Sequence, residues 1–359
     1  MIKILQTGIS DNYGGTEVVA YNYYEEIDKS KFHIDFVTSN GKAALEEELL
    51  KSGAKVFKLP HLKKHPFKYF RELEKILKEE EYDIVHINMN NFANFIPLVV
   101  SKKNKVSKII LHAHNTGIEN GTIKIILHNL SRIASEKLNV QRLACSEKAG
   151  KWMFKNAPFI VLDNSINHDR FKFNPKTRQK IREKLGIKQD EFLIGSVGRL
   201  CKQKNYSFLI KIFNVYHKLN PKTKLLIVGG GVLENELKNQ IKELNLDDSV
   251  IMTGFKQDTA PYYQAMDLFC LPSIFEGLGI VGIEAQVAGL PCIFSDNCVE
   301  ELEITEHVNF IPLEDELLWI EVMNAYNNMD IERNIKIDKY DIKKTAQKLE
   351  LIYLNKHNN

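Results

Sequence analysis

The sequence has few cysteines, and none of them forms a recognisable pair. Five cysteines are scattered over 359 residues: Cys145, Cys201, Cys270, Cys292 and Cys298. Because the count is odd and no Cys-x-x-Cys spacing occurs, neither a zinc site nor a disulfide framework is predicted. We expect most of these thiols to be small buried hydrophobic groups in a reducing compartment.

Long apolar runs and a strong charge imbalance are also missing. No stretch approaches the roughly 18 apolar residues that a membrane-spanning helix requires. The first residues, MIKILQTGIS, are too soon interrupted to be a signal peptide. The net charge is only +3, so the overall balance calls for neither nucleic acid nor membrane as a partner. These features predict a cytoplasmic protein.

The chain is long enough for two domains, and its pattern changes little from end to end. It is 44% hydrophobic and 26% charged, which is ordinary for a globular protein. Short apolar segments such as IKILQT and KIILHA alternate with helical patterns at 15–28, 42–52, 66–80 and 122–138. Nearly continuous apolar strands separated by helices indicate an α/β fold with parallel sheets covered on both faces.

The same rhythm restarts after residue 190, with FLIGSVG, KLLIVGG, SVIMTG, DLFCL and PCIFS as strands. Residues 163–178 are irregular and polar and are predicted to be a linker. Two α/β units of similar size predict a ligand site in a cleft between them, because parallel sheets bind ligands at the carboxyl ends of their strands.

Three glycine-rich junctions lie where strands are predicted to end. Gly14 and Gly15 open a helix whose first turn carries Glu17, and Gly231 closes the run 229–231. Such glycines let backbone N–H groups approach an anion, although each could simply make a tight turn. At the third junction, Arg199 and Lys204 follow the strand that ends in Gly198. A forked and a point-like cation suit a diphosphate, while two solvated surface charges are the alternative.

The segment SIFEGLGIVGIEAQVAGLP carries Glu276 on a glycine-rich turn and Glu284 inside the helix that follows. Amides at the start of that helix favour a phosphate. A carboxylate such as Glu284 can accept hydrogen bonds from a ribose diol, as acidic residues do in nucleotide sites. A solvated surface role fits Glu284 poorly, because Ile283, Ala285 and Val287 beside it are apolar.

Three histidines end two predicted neighbouring strands: His86 in DIVHIN, and His112 and His114 in KIILHAHNTG. No carboxylate or cysteine follows at metal-ligand spacing, so a metal site is not predicted. Half-buried structural histidines are the alternative to a functional role. The loop position of His114 favours it as an acid, base or orienting group.

These motifs together resemble the retaining glycosyltransferases of family 4, which have the GT-B architecture of two Rossmann-like domains facing each other across a cleft. The resemblance rests on the E-x7-E pair Glu276 and Glu284 with its glycines and Gly-Leu-Pro ending, on VGRL…QKN, on GGTE and on LACSEKAGKWMF. It covers nearly the whole chain and is nearest to bacterial enzymes of capsular and exopolysaccharide synthesis. The chain departs from the family pattern at 164–167, which read Asn-Ser-Ile-Asn, and in the run Gly-Gly-Gly at 229–231.

The resemblance implies a role for each matching residue. The implied nucleotide-sugar contacts are Gly14, Gly15, Arg199, Lys204, Gly231, Glu276, Gly277, Leu278, Gly279, Ile280 and Glu284. The implied catalytic residues are His114, Glu276, Arg199 and Lys204. Arg199 and Lys204 would hold the leaving diphosphate, Glu276 the donor sugar and Glu284 the ribose, while His114 would lie at the reacting sugar. No Asp-x-Asp occurs, and neither a metal nor a cofactor is expected, since the donor sugar nucleotide is a substrate.

The resemblance also implies a domain order and an activity. Residues 1–165 would form the acceptor-side domain, 166–330 the nucleotide-sugar domain, and 331–359 a helical segment returning to the first domain. The expected reaction moves a hexose or N-acetylhexosamine, with retention, from a UDP-sugar to a lipid-linked saccharide. The alternatives are a UDP-N-acetylglucosamine 2-epimerase-like enzyme and a non-catalytic nucleotide-sugar-binding subunit.

A basic, aromatic segment at 58–71 suggests where a membrane-bound acceptor would be met. Its cations surround three rings, Phe67, Tyr69 and Phe70; they are Lys58, Lys63, Lys64, Lys68 and Arg71. Cations interleaved with rings suit the anionic surface of the inner leaflet, so peripheral docking there is predicted. The alternative is an ordinary helix whose rings pack inward. No nucleic-acid partner is expected.

Overall fold

The computed structural model describes residues 1–9, 15–38, 41, 43, 45–62, 64–115, 117, 122–136 and 138–355. The chain forms two compact units. Unit 1 comprises Met1–Ser165 together with Ile342–Asn359, and unit 2 comprises Ile166–Asp341. Residues 331–341 therefore belong to unit 2, and the return to unit 1 begins at Ile342.

In the described part of unit 1, seven parallel strands form one sheet in the order β3-β2-β1-β4-β5-β6-β7. The strands are β1 (Ile2–Ile9), β2 (Phe32–Thr38), β3 (Val56–Lys58), β4 (Ile84–Met89), β5 (Lys108–Ala113), β6 (Gln141–Ala144) and β7 (Ile160–Val161). The helices are α1 (Gly15–Glu26), α2 (Glu46–Lys51), α3 (Pro66–Glu80), α4 (Ile96–Lys103), α5 (Thr122–Glu136), α6 (Glu147–Phe154) and α14 (Ile342–Leu354).

Unit 2 has six parallel strands in the order β10-β9-β8-β11-β12-β13. The strands are β8 (Phe192–Val197), β9 (Thr223–Val228), β10 (Val250–Met252), β11 (Leu268–Leu271), β12 (Cys292–Ser295) and β13 (Val308–Ile311). The helices are α7 (His168–Phe171), α8 (Pro175–Lys184), α9 (Tyr206–Leu219), α10 (Glu234–Glu243), α11 (Ala260–Ala265), α12 (Ile280–Val287) and α13 (Glu316–Asn327), with single 3-10 turns at Lys202–Lys204 and Glu300–Leu302.

The predicted α/β class is confirmed. All residues of β4 and β5 are buried, as central strands covered on both faces must be. The boundary between the units, after Ser165, falls inside the predicted linker 163–178, but the segment is not irregular as expected. It contains α7 and the first turn of α8. Its polar residues cap these helices: the side chain of Asn167 accepts from the Arg170 amide, and that of Asn174 accepts from the Thr177 amide.

The final helix, α14, belongs to unit 1 and packs beside α1. The Asp28 amide donates to Glu350 Oε1 at 2.8 Å, and Lys348 Nζ donates to the Val161 carbonyl at 2.6 Å. Lys108, on the interior strand β5, donates to the carbonyls of Ile352 and Asn355 at the end of the helix. These bonds hold α14 against the first sheet.

Candidate functional site

The two loops that carry Lys204 and Glu276 follow neighbouring strands of unit 2, because β8 and β11 are adjacent in the sheet. Lys204 Nζ lies 2.5 Å from Glu276 Oε2, and Ser273 Oγ donates to the same oxygen at 3.1 Å. The loops are also joined by their backbones: the Ile274 amide donates to the Gln203 carbonyl at 2.8 Å. The structure therefore brings these two predicted residues together as an ion pair.

Two glycines make room for this pair. A Cβ on Gly198 would lie 3.3 Å from Lys204 Cε and 3.0 Å from the Tyr206 hydroxyl, so the lysine stem passes directly over the glycine. Gly279 has a φ of 62° at the start of α12, and a Cβ there would lie 3.0 Å from Glu276 Cγ. Both positions favour glycine because a side chain would displace the ion pair.

Arg199 is placed differently from Lys204. Its side chain is exposed, and no ion pair or hydrogen bond to it is found among the described residues. Arg199 and Lys204 thus follow the same strand, but only Lys204 is engaged with a carboxylate. An anionic ligand would find Arg199 open to solvent and Lys204 already held in position.

The glycine run 229–231 contacts the loop of Arg199 backbone to backbone. A Cβ on Gly229 would lie 1.9 Å from the Gly198 carbonyl oxygen, and one on Gly231 would lie 2.4 Å from the Leu200 carbonyl oxygen. The Leu200 amide also donates to the Gly230 carbonyl at 3.0 Å. The close packing between the two loops is therefore sufficient to explain why residue 231 is a glycine, independently of any contact with a ligand.

Glu284 lies on the first turns of α12, and its carboxyl group is largely buried. Tyr263 on α11 donates a hydrogen bond to Glu284 Oε2 at 2.7 Å. Burial raises the pKa of Glu284 to about 7, and the hydrogen bond from Tyr263 and the charges of Arg170 and Lys204 oppose that rise. The site thus holds a carboxyl group that titrates near neutral pH.

The remaining predicted contacts of unit 2 line the turn before α12. Gly277 is exposed, with nothing in reach of an added Cβ. Leu278 and Ile280 are partly buried and pack against the core below. The amides of the first turn of α12 have no intrahelical partners, as at any helix start, and are available to an anion.

In unit 1, the three histidines form a connected buried cluster. His86 Nδ1 lies 2.7 Å from the Tyr353 hydroxyl of α14, and His86 Nε2 lies 3.2 Å from His112 Nδ1. The rings of His112 and His114 are 4.1 Å apart between centroids. Burial lowers the pKa of His86 to about 3 and that of His114 to about 4, so all these imidazoles are neutral at physiological pH.

Asn88 fixes the tautomer of His114. Its amide nitrogen donates to the Thr7 backbone carbonyl at 3.2 Å, so its Oδ1 must be the atom that faces His114 Nε2 at 2.9 Å. A carbonyl oxygen only accepts, and His114 therefore carries its proton on Nε2. Its Nδ1 is a bare acceptor, buried and without a partner among the described residues.

Gly15 is exposed and begins α1, whereas Gly14 lies outside the described residues. In the basic segment, Tyr69 is buried and Phe70 packs against the core, while Phe67 is 85% exposed. Lys63 also lies outside the described residues. Two of the three rings thus follow the inward-packing alternative.

The sequence reasoning missed three partners: Asn88, Tyr263 and Tyr353. Each orients a predicted residue from a distant part of the chain. Asn88 could have been predicted, since it lies two residues after His86 on the same strand. Neither tyrosine carries any local signal.

Within the described ranges, no three His, Cys, Asp or Glu side chains are grouped so that they could hold a metal ion. None of the helices described is both long and apolar enough to cross a membrane.

The chain is similar to known glycosyltransferases along most of its length. Residues 13–170 match the family model described as Glycosyltransferase Family 4, and residues 177–316 match the one described as Glycosyl transferases group 1. The glycosyltransferase EpsF of Bacillus subtilis is 29% identical over 84% of this chain and 81% of its own length. The UDP-Gal:alpha-D-GlcNAc-diphosphoundecaprenol alpha-1,3-galactosyltransferase of Escherichia coli is 25% identical over 99% of this chain and 97% of its own.

Among solved structures, Anabaena HepE in complex with UDP and glucose superposes with a TM-score of 0.78 at 18% identity, over 99% of this chain and 100% of its own. At that identity the likeness concerns the fold. The likeness therefore supports the GT-B fold, and the two family matches, which follow one another along the chain, identify this protein as a hexosyltransferase of glycosyltransferase family 4.

Proposed function

We propose that the chain transfers a hexose or N-acetylhexosamine from a UDP-sugar to a lipid-linked saccharide, with retention of anomeric configuration, in capsular or exopolysaccharide synthesis. The observation that carries the proposal is the ion pair of Lys204 and Glu276 beside the unengaged Arg199. Fixed cations at a strand end stabilise the negative charge that grows on a departing nucleoside diphosphate.

The other described residues take roles that fit this donor. Glu284, held by Tyr263, accepts hydrogen bonds from the ribose hydroxyls. Glu276 and the first amides of α12, at Leu278, Gly279 and Ile280, hold the sugar and phosphates. Gly15 approaches the β-phosphate from the start of α1, and Gly14 is proposed to join it. The bare Nδ1 of His114 accepts a hydrogen bond from a sugar hydroxyl.

The retaining step is proposed to be a front-face substitution. The bond between the anomeric carbon and the UDP oxygen breaks, and UDP leaves with the electron pair. The acceptor hydroxyl attacks from the same face, and its proton passes to the departing phosphate oxygen. Arg199 and Lys204 neutralise the phosphates during this step.

The names of the relatives support the choice of substrates. The E. coli relative is named for a UDP-galactose donor and a diphosphoundecaprenol acceptor, and HepE was solved with UDP and glucose. An acceptor of that kind would keep the enzyme at the inner face of the cell membrane.

The test is a transfer assay with the purified chain, UDP- or GDP-sugars, and a lipid-linked saccharide, with and without EDTA. We expect sugar transfer from a UDP-sugar, and we expect this transfer to continue in the presence of EDTA. Conversion of UDP-N-acetylglucosamine without acceptor would favour the epimerase, and UDP binding with no turnover of any donor would favour the non-catalytic subunit.

A further inference from the structure

Helix α5 buries polar side chains and exposes aliphatic ones. Its polar residues His128, Arg132 and Ser135 are buried. Ile126, Leu130 and Ile133, which lie on the other side of the same helix, are 52%, 61% and 55% exposed. We name these three aliphatic side chains the α5 face. A surface helix of a globular protein normally shows the opposite arrangement, so this face is suited to an apolar environment outside the chain.

The polar side of α5 is held in place by specific contacts. His128 stacks on Trp152 of α6 with 4.7 Å between ring centroids, and its Nδ1 accepts from the Phe92 amide at 3.1 Å. Arg142 Nη2 donates to the Ser135 carbonyl at 2.8 Å. Rotating the helix to hide its aliphatic side would break these contacts. The outward direction of the α5 face is therefore built into the fold.

Cations lie around this helix. Lys102 Nζ donates to the Asn139 carbonyl at 2.8 Å, just beyond the end of α5. Helix α6, which stacks against α5 through Trp152, carries the exposed Lys148 and Lys151, and the exposed Lys155 follows its last residue. Lys151 forms an ion pair at 3.7 Å with Glu147, the acidic residue of α6, so cations still outnumber anions here. Within α5 itself, Glu136 is the one acidic residue. The charge around the aliphatic stripe thus complements an anionic surface.

The composition of the α5 face distinguishes a bilayer from a protein partner. Protein interfaces draw most of their binding energy from Trp, Tyr and Arg, and leucine is under-represented among such residues. The α5 face offers only Ile and Leu side chains. An aliphatic stripe bordered by lysines is typical of helices that lie in the interface of a membrane.

We propose that the α5 face rests in the interfacial layer of an anionic bilayer. The proposal deepens the proposed function, since a lipid-linked acceptor is presented at that surface. It also replaces the segment 58–71 as the main apolar contact, because that segment exposes only Phe67 of its three rings.

The test is sedimentation of the full chain with vesicles of phosphatidylglycerol or of phosphatidylcholine alone. The test variant is Ile126→Ser/Leu130→Ser/Ile133→Ser, with the single Leu130→Ser in reserve should the triple variant not fold. The matched control is Leu219→Ser/Leu317→Ser, which removes two exposed leucines of unit 2. A second comparison, Lys64→Glu/Lys68→Glu, probes the segment 58–71.

We expect the wild type to bind the anionic vesicles, more weakly in high salt, and the α5 variant to bind at least about tenfold more weakly. The Leu219/Leu317 control should bind like the wild type, and the Lys64/Lys68 variant should lose less than the α5 variant. Unchanged binding of the α5 variant would overturn the proposal, as would loss of binding only in the Lys64/Lys68 variant. If the wild type does not bind vesicles but forms a dimer, and the α5 variant is monomeric, the α5 face is instead an interface between two copies of the chain.

Transfer to a water-soluble acceptor separates this inference from the proposed function. The α5 variant should keep that transfer while losing transfer to acceptor embedded in vesicles. If no variant, nor the wild type, glycosylates either acceptor, the proposed function has failed. If the α5 variant binds vesicles like the wild type and both still transfer the sugar, only the inference about the α5 face has failed.

Discussion

The ammonium group of Lys204 lies 2.5 Å from the carboxylate of Glu276, across 72 residues of chain. The ion pair joins the loops that follow two adjacent strands, and both side chains are mostly shielded from water. It therefore fixes the position of a cation and of an anion before any ligand arrives. Such preorganisation is the property that electrostatic catalysis requires.

Lys204 and Arg199 should respond differently to substitution. Lys204→Ala leaves the Glu276 carboxylate without its ion-pair partner, so we expect a loss of roughly 1–3 kcal/mol in the free energy of unfolding. Arg199→Ala should leave that free energy unchanged, because the side chain is exposed. Both variants should lower kcat/KM by about one to three orders of magnitude. Denaturant unfolding and donor turnover measure the two effects, and near-normal turnover in both variants would remove the diphosphate role.

The protonation of Glu284 should control nucleoside binding. Its pKa is raised to about 7, so the folded protein keeps a proton there below that pH. Ribose hydroxyls donate to the charged carboxylate, and uridine affinity should therefore rise as pH increases through about 7, by up to roughly tenfold per pH unit. Calorimetric titration with uridine from pH 5.5 to 8.5 measures this. Glu284→Gln should bind weakly at every pH, and a wild-type affinity independent of pH would contradict the assignment.

Acid should destabilise unit 1 through its histidine cluster. In the folded protein the pKa of His86 is about 3 and that of His114 about 4, whereas an unfolded imidazole titrates near 6.5. Between these values the unfolded chain binds more protons, so stability is present above about pH 6.5 and is lost as the pH falls toward 4. Each proton taken up contributes a slope of roughly 1.4 kcal/mol per pH unit. Denaturant unfolding at several pH values should show this decline, and a flat profile from pH 6.5 to 4.5 would refute it.

Tyr353 should support the same cluster from α14. Tyr353→Phe keeps the ring but removes the hydroxyl that pairs with His86 Nδ1, so we expect about 1–2 kcal/mol of destabilisation. Because the cluster continues to His114, kcat should fall while UDP affinity stays unchanged. Measuring kcat and the affinity for UDP of this variant tests whether the hydroxyl acts on turnover alone. Equal losses in UDP binding and turnover would show that the hydroxyl serves general stability alone.

The glycine at 231 should be indispensable for packing. An added Cβ would lie 2.4 Å from the Leu200 carbonyl oxygen, so Gly231→Ala must shift one of the two loops, at a cost of about 1–3 kcal/mol. Gly277→Ala is the matched control, since nothing lies within reach of its Cβ. Thermal unfolding compares them. Similar melting temperatures for both variants would show that the loops can move apart freely.

Features that depend on one short segment of sequence could be predicted. The parallel sheets followed from apolar strands such as β4 and β5, and Glu276 and Glu284 were assigned to a turn and a helix from their glycine surroundings. Pairings between distant segments could not be predicted, because only the fold brings Tyr263 to Glu284 and Tyr353 to His86. The segment 163–178 misled for a related reason: Asn167 and Asn174 are polar like linker residues, yet they serve as helix caps.

The anomeric configuration of the product tests the central claim most directly. The purified chain, a UDP-α-hexose and a lipid-linked saccharide should give a product whose anomeric proton signal in NMR is that of an α-glycoside. The reaction should be absent from a Lys204→Ala/Glu276→Ala double variant. An α-linked product formed only by the wild type agrees with retaining transfer at this site. A β-linked product, or equal transfer by the double variant, would contradict it.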